Sequence, residues 1–186
     1  EEIYNKALAW HDHGHENNPE YPRWEDTRSG SGFNFRMMEL QGAIGIAQLS
    51  RIEEVIKIQK TNAQKIWDSI SDIPQLRKRK EPEGSFSTSD ALIFSVDNKE
   101  LAINIRAELL KEKISTKILP EAITWHFAGT WDHIRPLNEA HKGKLRESLT
   151  ISEELLSKSV SLPIFIKMNQ IWPAKIRECI LRSLSR

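Results

Sequence analysis

Between Gly32 and Trp67 the chain reads GFNFRMMELQGAIGIAQLSRIEEVIKIQKTNAQKIW, a short glycine-led loop followed by a long segment of helical pattern. From Arg36 to about Ile70, Leu49, Ile52, Ile56, Ala63, Ile66 and Ile70 recur at steps of three, four or seven. That spacing predicts one long helix with an apolar stripe and charged residues opposite. Gly42 and Gly45 lower helix propensity, so their expected use is close approach of another backbone. A helix of about 35 residues would run about 50 Å, longer than a small domain is wide, so it is expected to link two bodies or carry a subunit interface.

The loop before this helix is RSGSGFN, Arg28 to Asn34. A glycine-rich turn entering a helix N-terminus offers free backbone N–H groups and the positive end of the helix dipole, a good place for a phosphate. Asn34 adds an amide donor, and Arg28 and Arg36 add charge. The alternative is an ordinary loop with Asn34 as the helix cap. No Walker-type lysine and no Rossmann glycine fingerprint is present.

Upstream lies HDHGHENNPEYPRW, with His11, His13 and His15 at alternating positions and Asp12 and Glu16 among them. Imidazole and carboxylate invite a metal reading. Alternate residues share a face only on a strand, however, and Gly14, Asn17, Asn18 and Pro19 make this a turn-rich stretch. A histidine-rich loop that hydrogen-bonds its surroundings is the competing reading.

Elsewhere the elements shorten. Ala91 to Val96 (ALIFSV) reads as a strand, Asp97 and Asn98 as capping types, and Leu101, Ala102, Ile105 and Leu109 as one face of a helix. Ser115 to Leu119 reads as the next strand. The aromatic and histidine-rich region over 120–145 resists assignment, a helical stretch follows near Glu147 to Lys158, and SVSLPIF is a short strand. Pro173 opens a final amphipathic helix carrying Ile176, Ile180 and Leu184.

The 186 residues suffice for one good core, and 39% hydrophobic with 28% charged residues describes an ordinary globular chain. A formal net charge of +1 gives no electrostatic reason to seek nucleic acid or an anionic membrane. The basic run Arg77 to Lys80, between Pro74 and Pro82, reads as an exposed turn. No apolar run reaches the roughly 20 residues of a bilayer span, and a cytoplasmic location follows by default. The single Cys179 excludes an intramolecular disulfide. EEIYNKALAW starts without methionine and already in helical register at Ile3, Ala7 and Trp10, so a piece of a longer protein is expected.

The loop and long helix resemble the G-Y-N-Y-R-M-x-E-L-Q-A-A-I-G-L-x-Q-L segment of the DegT/DnrJ/EryC1/StrS family of sugar aminotransferases, which use pyridoxal phosphate. SVSLPIF resembles the strand before that family's last helix, and NKALAWHDHGH resembles the helix and turn after its cofactor lysine. The resemblance implies an α+β fold, the small C-terminal domain of the aspartate-aminotransferase superfamily (fold type I), in α/β two-layer form behind a long interdomain helix. Its implied organisation is a tail of the large cofactor domain with a phosphate-contacting loop over 1–35, the linking helix over 36–70, and the small domain over 71–186.

It further implies a homodimer with a shared active site, in which Asn34 hydrogen-bonds the cofactor phosphate of the neighbouring subunit and Arg36 assists. Glu39 also matches the motif. The Schiff-base lysine is expected upstream of Glu1, so no catalytic residue is assigned and the chain is expected not to transaminate alone. Within the family, HDHGHENNPEYPRWEDTRSGSGFNFRM and TWHFAGTWDHI look most like transaminases that make 8-amino-3,8-dideoxy-manno-octulosonate for lipopolysaccharide. Arg28, His15 and His126 are then the candidates for a substrate rich in carboxylate and hydroxyl groups, with glutamate as amino donor. The competing classes are a non-catalytic domain with a dimerisation role and a histidine-rich metal protein.

Overall fold

The computed structural model describes residues 1–28, 30–116, 119, 123 and 127–185. The chain divides into two compact units, 1–52 and 53–186.

The first unit holds helix α1 (Glu2–His11) and helix α2 (Glu39–Leu49), and neither buries a residue. Between them the backbone is irregular, tied by isolated antiparallel bridges of Asp12 with Asn34 and of His15 with Arg28. Trp10 and Phe33 meet edge to face at 5.5 Å, and Phe33 and Phe35 lie 5.7 Å apart.

The helix expected over 36–70 is two helices, α2 and α3 (Ile52–Ile70). The break has a local cause. Ser50 Oγ donates back to the Ala47 carbonyl at 2.9 Å, and the Arg51 N–H goes to the Gln48 carbonyl at 3.1 Å, a three-residue step that tightens the turn.

In the second unit β1 (Arg77–Lys78), β2 (Ala91–Ser95) and β3 (Ser159–Pro163) form an antiparallel sheet in that order. Leu92 pairs with Leu162 and Phe94 with Val160, and all four side chains are buried. Against them pack Ala102, Ile105 and Leu109 of α4 (Lys99–Lys111), Ile176, Cys179 and Ile180 of α7 (Trp172–Leu184), and Ala63, Ile66 and Ile70 of α3. The expected faces of α4 and α7 are therefore the buried ones, while on the long segment only the Ala63, Ile66 and Ile70 end of the stripe is buried and Leu49 and Ile52 are exposed. Asn98 caps α4, its side chain accepting from Leu101 N–H at 2.9 Å, and Pro173 stands in the first turn of α7.

The described residues of this unit also hold two short α-helices, α5 (Arg135–Ala140) and α6 (Thr150–Ser157). Asn62, buried on α3, donates to the Phe165 carbonyl at 2.8 Å and so ties that helix to the chain leaving β3. The α+β class is borne out. The basic run is exposed as expected, but Arg77 and Lys78 form an edge strand rather than a turn. The strand expected over Ser115 to Leu119 falls partly on residues 117 and 118, which lie outside the described residues.

Candidate functional site

The candidate residues of the first unit gather where the end of α1 meets the glycine loop. Phe33 N–H donates to Trp10 O at 2.9 Å, Phe35 N–H to His11 O at 3.0 Å, and His13 N–H to Phe33 O at 3.1 Å. These bonds set Asp12 opposite Asn34. Gly32 lies so close to α1 that a Cβ there would stand 2.6 Å from the Trp10 carbonyl oxygen.

Asp12 is a buried charge, 5% exposed. Its Oδ2 receives Arg23 Nη2 at 2.6 Å, and its Oδ1 lies 3.4 Å from Arg36 Nε and 3.5 Å from His13 Nδ1. Burial pushes the carboxyl up, but hydrogen bonds from Arg23 and His13 and the charges of Arg23 and Arg36 outweigh it and hold the acid below the usual carboxylate range. Asp26 is the parallel case. Burial raises it, while the backbone N–H groups of Asn18 and Asn17 (3.2 and 2.9 Å), His15 and Arg23 together bring it down.

Arg36 Nε also donates to Asn34 Oδ1 at 3.1 Å, and the Arg36 N–H reaches the same oxygen at 3.4 Å. Two donors aimed at one atom fix the orientation of the amide, since only the oxygen can accept. Among the described residues the Asn34 Nδ2–H₂ group then has no acceptor, and Asn34 is exposed. A similar chain orders Arg28, whose Nη2 lies 3.0 Å from His15 Nε2. A guanidinium only donates, so Nε2 is the unprotonated nitrogen and the ring proton sits on Nδ1. That nitrogen lies 3.3 Å from Asp26 Oδ2 but out of hydrogen-bond alignment.

Several expectations change here. Asn34 is not a helix cap, because α2 starts five residues later with Met38 at the capping position, its N–H donating to Gln41 Oε1 at 2.8 Å. The loop is thus separated from the helix N-terminus by residues 35–38, so the donors it offers are side chains rather than the first turn of the helix. His15 has a side chain only 12% exposed and acts on Arg28. His11 and His13 point elsewhere, to the Leu8 carbonyl and to Asp12. Among the described residues no three His, Cys, Asp or Glu side chains are grouped as a metal site would need. His126 lies outside the described residues. Asp12, Asp26 and Arg23 were missed by sequence reasoning, since Asp12 stood out only as a neighbour of histidines.

The fold of the chain is shared with solved structures of sugar aminotransferases and of a sugar-nucleotide dehydratase. Helicobacter pylori PseC, an aminotransferase of pseudoaminic acid biosynthesis, superposes with a TM-score of 0.68 at 19% identity, over 99% of this chain and 46% of that one. The Escherichia coli GDP-4-keto-6-deoxy-D-mannose-3-dehydratase with bound hydrated PLP gives 0.66 at 20% identity, over 97% and 48%. The chain belongs to the DegT/DnrJ/EryC1/StrS aminotransferase family, whose model matches residues 1–180. Among curated relatives, the GDP-4-keto-6-deoxy-D-mannose 3-dehydratase of Yersinia pseudotuberculosis is 34% identical over 87 residues, 47% of this chain and 21% of that protein. The chain thus spans less than half the length of the solved structures it matches. Pyridoxal phosphate is the cofactor of this family.

Proposed function

We propose that this chain is the C-terminal part of a pyridoxal-phosphate-dependent sugar aminotransferase that moves an amino group from glutamate to a keto or aldehyde sugar. The observation that carries the reading is the oriented Asn34 amide, with Nδ2–H₂ left open beside Arg36. The donor set fits a phosphate group. Arg36, exposed beside Asn34, adds a guanidinium to the open amide, and amide and guanidinium N–H groups are good partners for phosphate oxygens. Asn34 would hold the phosphate of the cofactor seated in a neighbouring copy, Arg36 would add charge there, and Arg28 would meet a carboxylate of the substrate.

When bound, the cofactor supplies the electron sink for the amino transfer. On this reading the lysine that carries the cofactor would be supplied by the remainder of the full-length enzyme. Within the sugar class, the finer reading is transfer to the 8-position of a 3-deoxy-octulosonate destined for lipopolysaccharide, in the cytoplasm, by a homodimer. The sequence likeness of the His11 to Met37 segment and of TWHFAGTWDHI supports it.

A second reading is favoured by the curated relatives, which are 3-dehydratases of a keto-deoxy sugar nucleotide. One assay separates the two. Full-length protein is incubated with cofactor, glutamate and a keto or aldehyde sugar, and 2-oxoglutarate and sugar product are quantified together. Transamination gives one equivalent of 2-oxoglutarate per amino sugar. A product that has lost water and gained no nitrogen supports the dehydratase reading and contradicts the first.

A further inference from the structure

A buried carboxylate is costly unless it is paired, and Asp12 is paired in an uneven way. Its strong contact, on Oδ2, is Arg23 at 2.6 Å. On Oδ1 it has only the longer contacts to Arg36 Nε and His13 Nδ1. Arg23 therefore carries most of the charge compensation, and Arg36 is steered without being consumed. Among the described residues, the Nη1 and Nη2 atoms of Arg36 have no acceptor. The steered nitrogen is the same Nε that fixes the Asn34 amide at 3.1 Å. Asn34 and Arg36 are both exposed, and long exposed side chains sample many rotamers unless something holds them.

We propose that Asp12 is a positioning residue of the anion site, holding the Arg36 guanidinium and through it the Asn34 carboxamide in the orientation that presents Nδ2–H₂ to a phosphate. This rests on the phosphate reading of Asn34 given above. The backbone bridge between Asp12 and Asn34 makes the relay short, since the residue that steers and the residue steered face each other across two chain segments. Arg23 keeps Asp12 charged independently of Arg36, so the relay survives when Arg36 also meets a ligand.

The test uses the full-length protein freed of cofactor, titrated with pyridoxal phosphate and followed by absorbance, with melting temperature recorded for every variant. Asp12→Asn, Arg36→Gln, the double variant and Asn34→Ala are compared. The expected result is about tenfold weaker binding for Asp12→Asn and for Arg36→Gln, with the double variant no weaker than Arg36→Gln alone, because both act through one contact chain. Equal losses from Asp12→Asn in the wild-type and Arg36→Gln backgrounds would mean a general structural role and overturn the proposal.

If Asn34→Ala weakens binding and Asp12→Asn does not, the relay is wrong and the phosphate reading stands. If Asn34→Ala has no effect, both fall. Should Asp12→Asn fail to fold, Arg36→Lys serves, since it keeps the charge on an exposed side chain but lacks an Nε–H placed between Asp12 and Asn34. It is expected to lose affinity without loss of melting temperature, and wild-type affinity there overturns the relay.

Discussion

Gly14 and Gly32 meet backbone to backbone: a Cβ on Gly32 would lie 2.5 Å from the Gly14 nitrogen, and one on Gly14 would run into the Gly30 carbonyl. Gly14 also has φ +84°, a conformation that favours glycine. This contact sets the distance between the end of α1 and the loop that carries Asn34.

The first prediction follows from it. The three atoms nearest a Cβ at Gly32→Ala are backbone atoms of Gly14, Trp10 and Ala9, none of which can swing aside. It should cost about 1–3 kcal/mol of stability, the usual range for overpacking, and weaken cofactor retention by moving Asn34. Gly30→Ala, with nothing within 4 Å, is the control and should change neither. Thermal melts and retained cofactor after dialysis of the full-length variants check both.

Acid should loosen the same region. Asp12 and Asp26 sit below the usual carboxylate range in the folded chain, so the unfolded chain takes up their protons first as pH falls. Their contribution to stability is complete above the ordinary carboxylate value and is lost as pH drops through their lowered folded values. Melting temperature against pH should fall in that acidic window, and Asp12→Asn should flatten the fall. An unchanged slope in the variant contradicts the assignment.

In the second unit, burial should outweigh charge. Phe94 is fully buried between the sheet and its helices, and Phe94→Ala should destabilise by about 3–5 kcal/mol. Arg177 makes a two-pronged pair with Asp72, one contact at 2.8 Å, and reaches the Ser69 carbonyl at 2.7 Å. Asp72 is 64% exposed, however, so Arg177→Gln should cost far less than Phe94→Ala. Denaturant unfolding of the two variants ranks the effects.

Helix α2 leaves Leu40, Ile44, Ile46 and Leu49 exposed, at 54% or more each. The homodimer proposed above would cover part of this apolar surface. Ile46→Asp is expected to shift the full-length protein toward monomer in sedimentation velocity at micromolar concentration, and an unchanged dimer would place the subunit contact elsewhere.

The sequence showed its core elements well and its site only in outline. The period of Leu101, Ala102, Ile105 and Leu109 and of Ile176 and Ile180 is legible because burial on one helix face imposes it, and those residues lie in the core. The break at Ser50 was not legible, because it depends on a hydroxyl choosing a nearby carbonyl within an otherwise continuous apolar pattern. Asn34 and Arg36 were visible through their motif. The ion pairs that order them join residues up to 24 positions apart, Asp12 to Arg36, and no local spacing encodes such a pair. His15 drew attention as a ligand type, yet its side chain is spent on orienting Arg28.

The central claim is that Asn34 binds the cofactor's phosphate, and its most direct measurement is the pyridoxal phosphate dissociation constant of the full-length protein with and without Asn34→Ala. A hydrogen bond to a charged group contributes about 1.5–3 kcal/mol, so the variant should bind about 10- to 100-fold more weakly, with its melting temperature in the absence of cofactor unchanged. An unchanged dissociation constant would contradict the account.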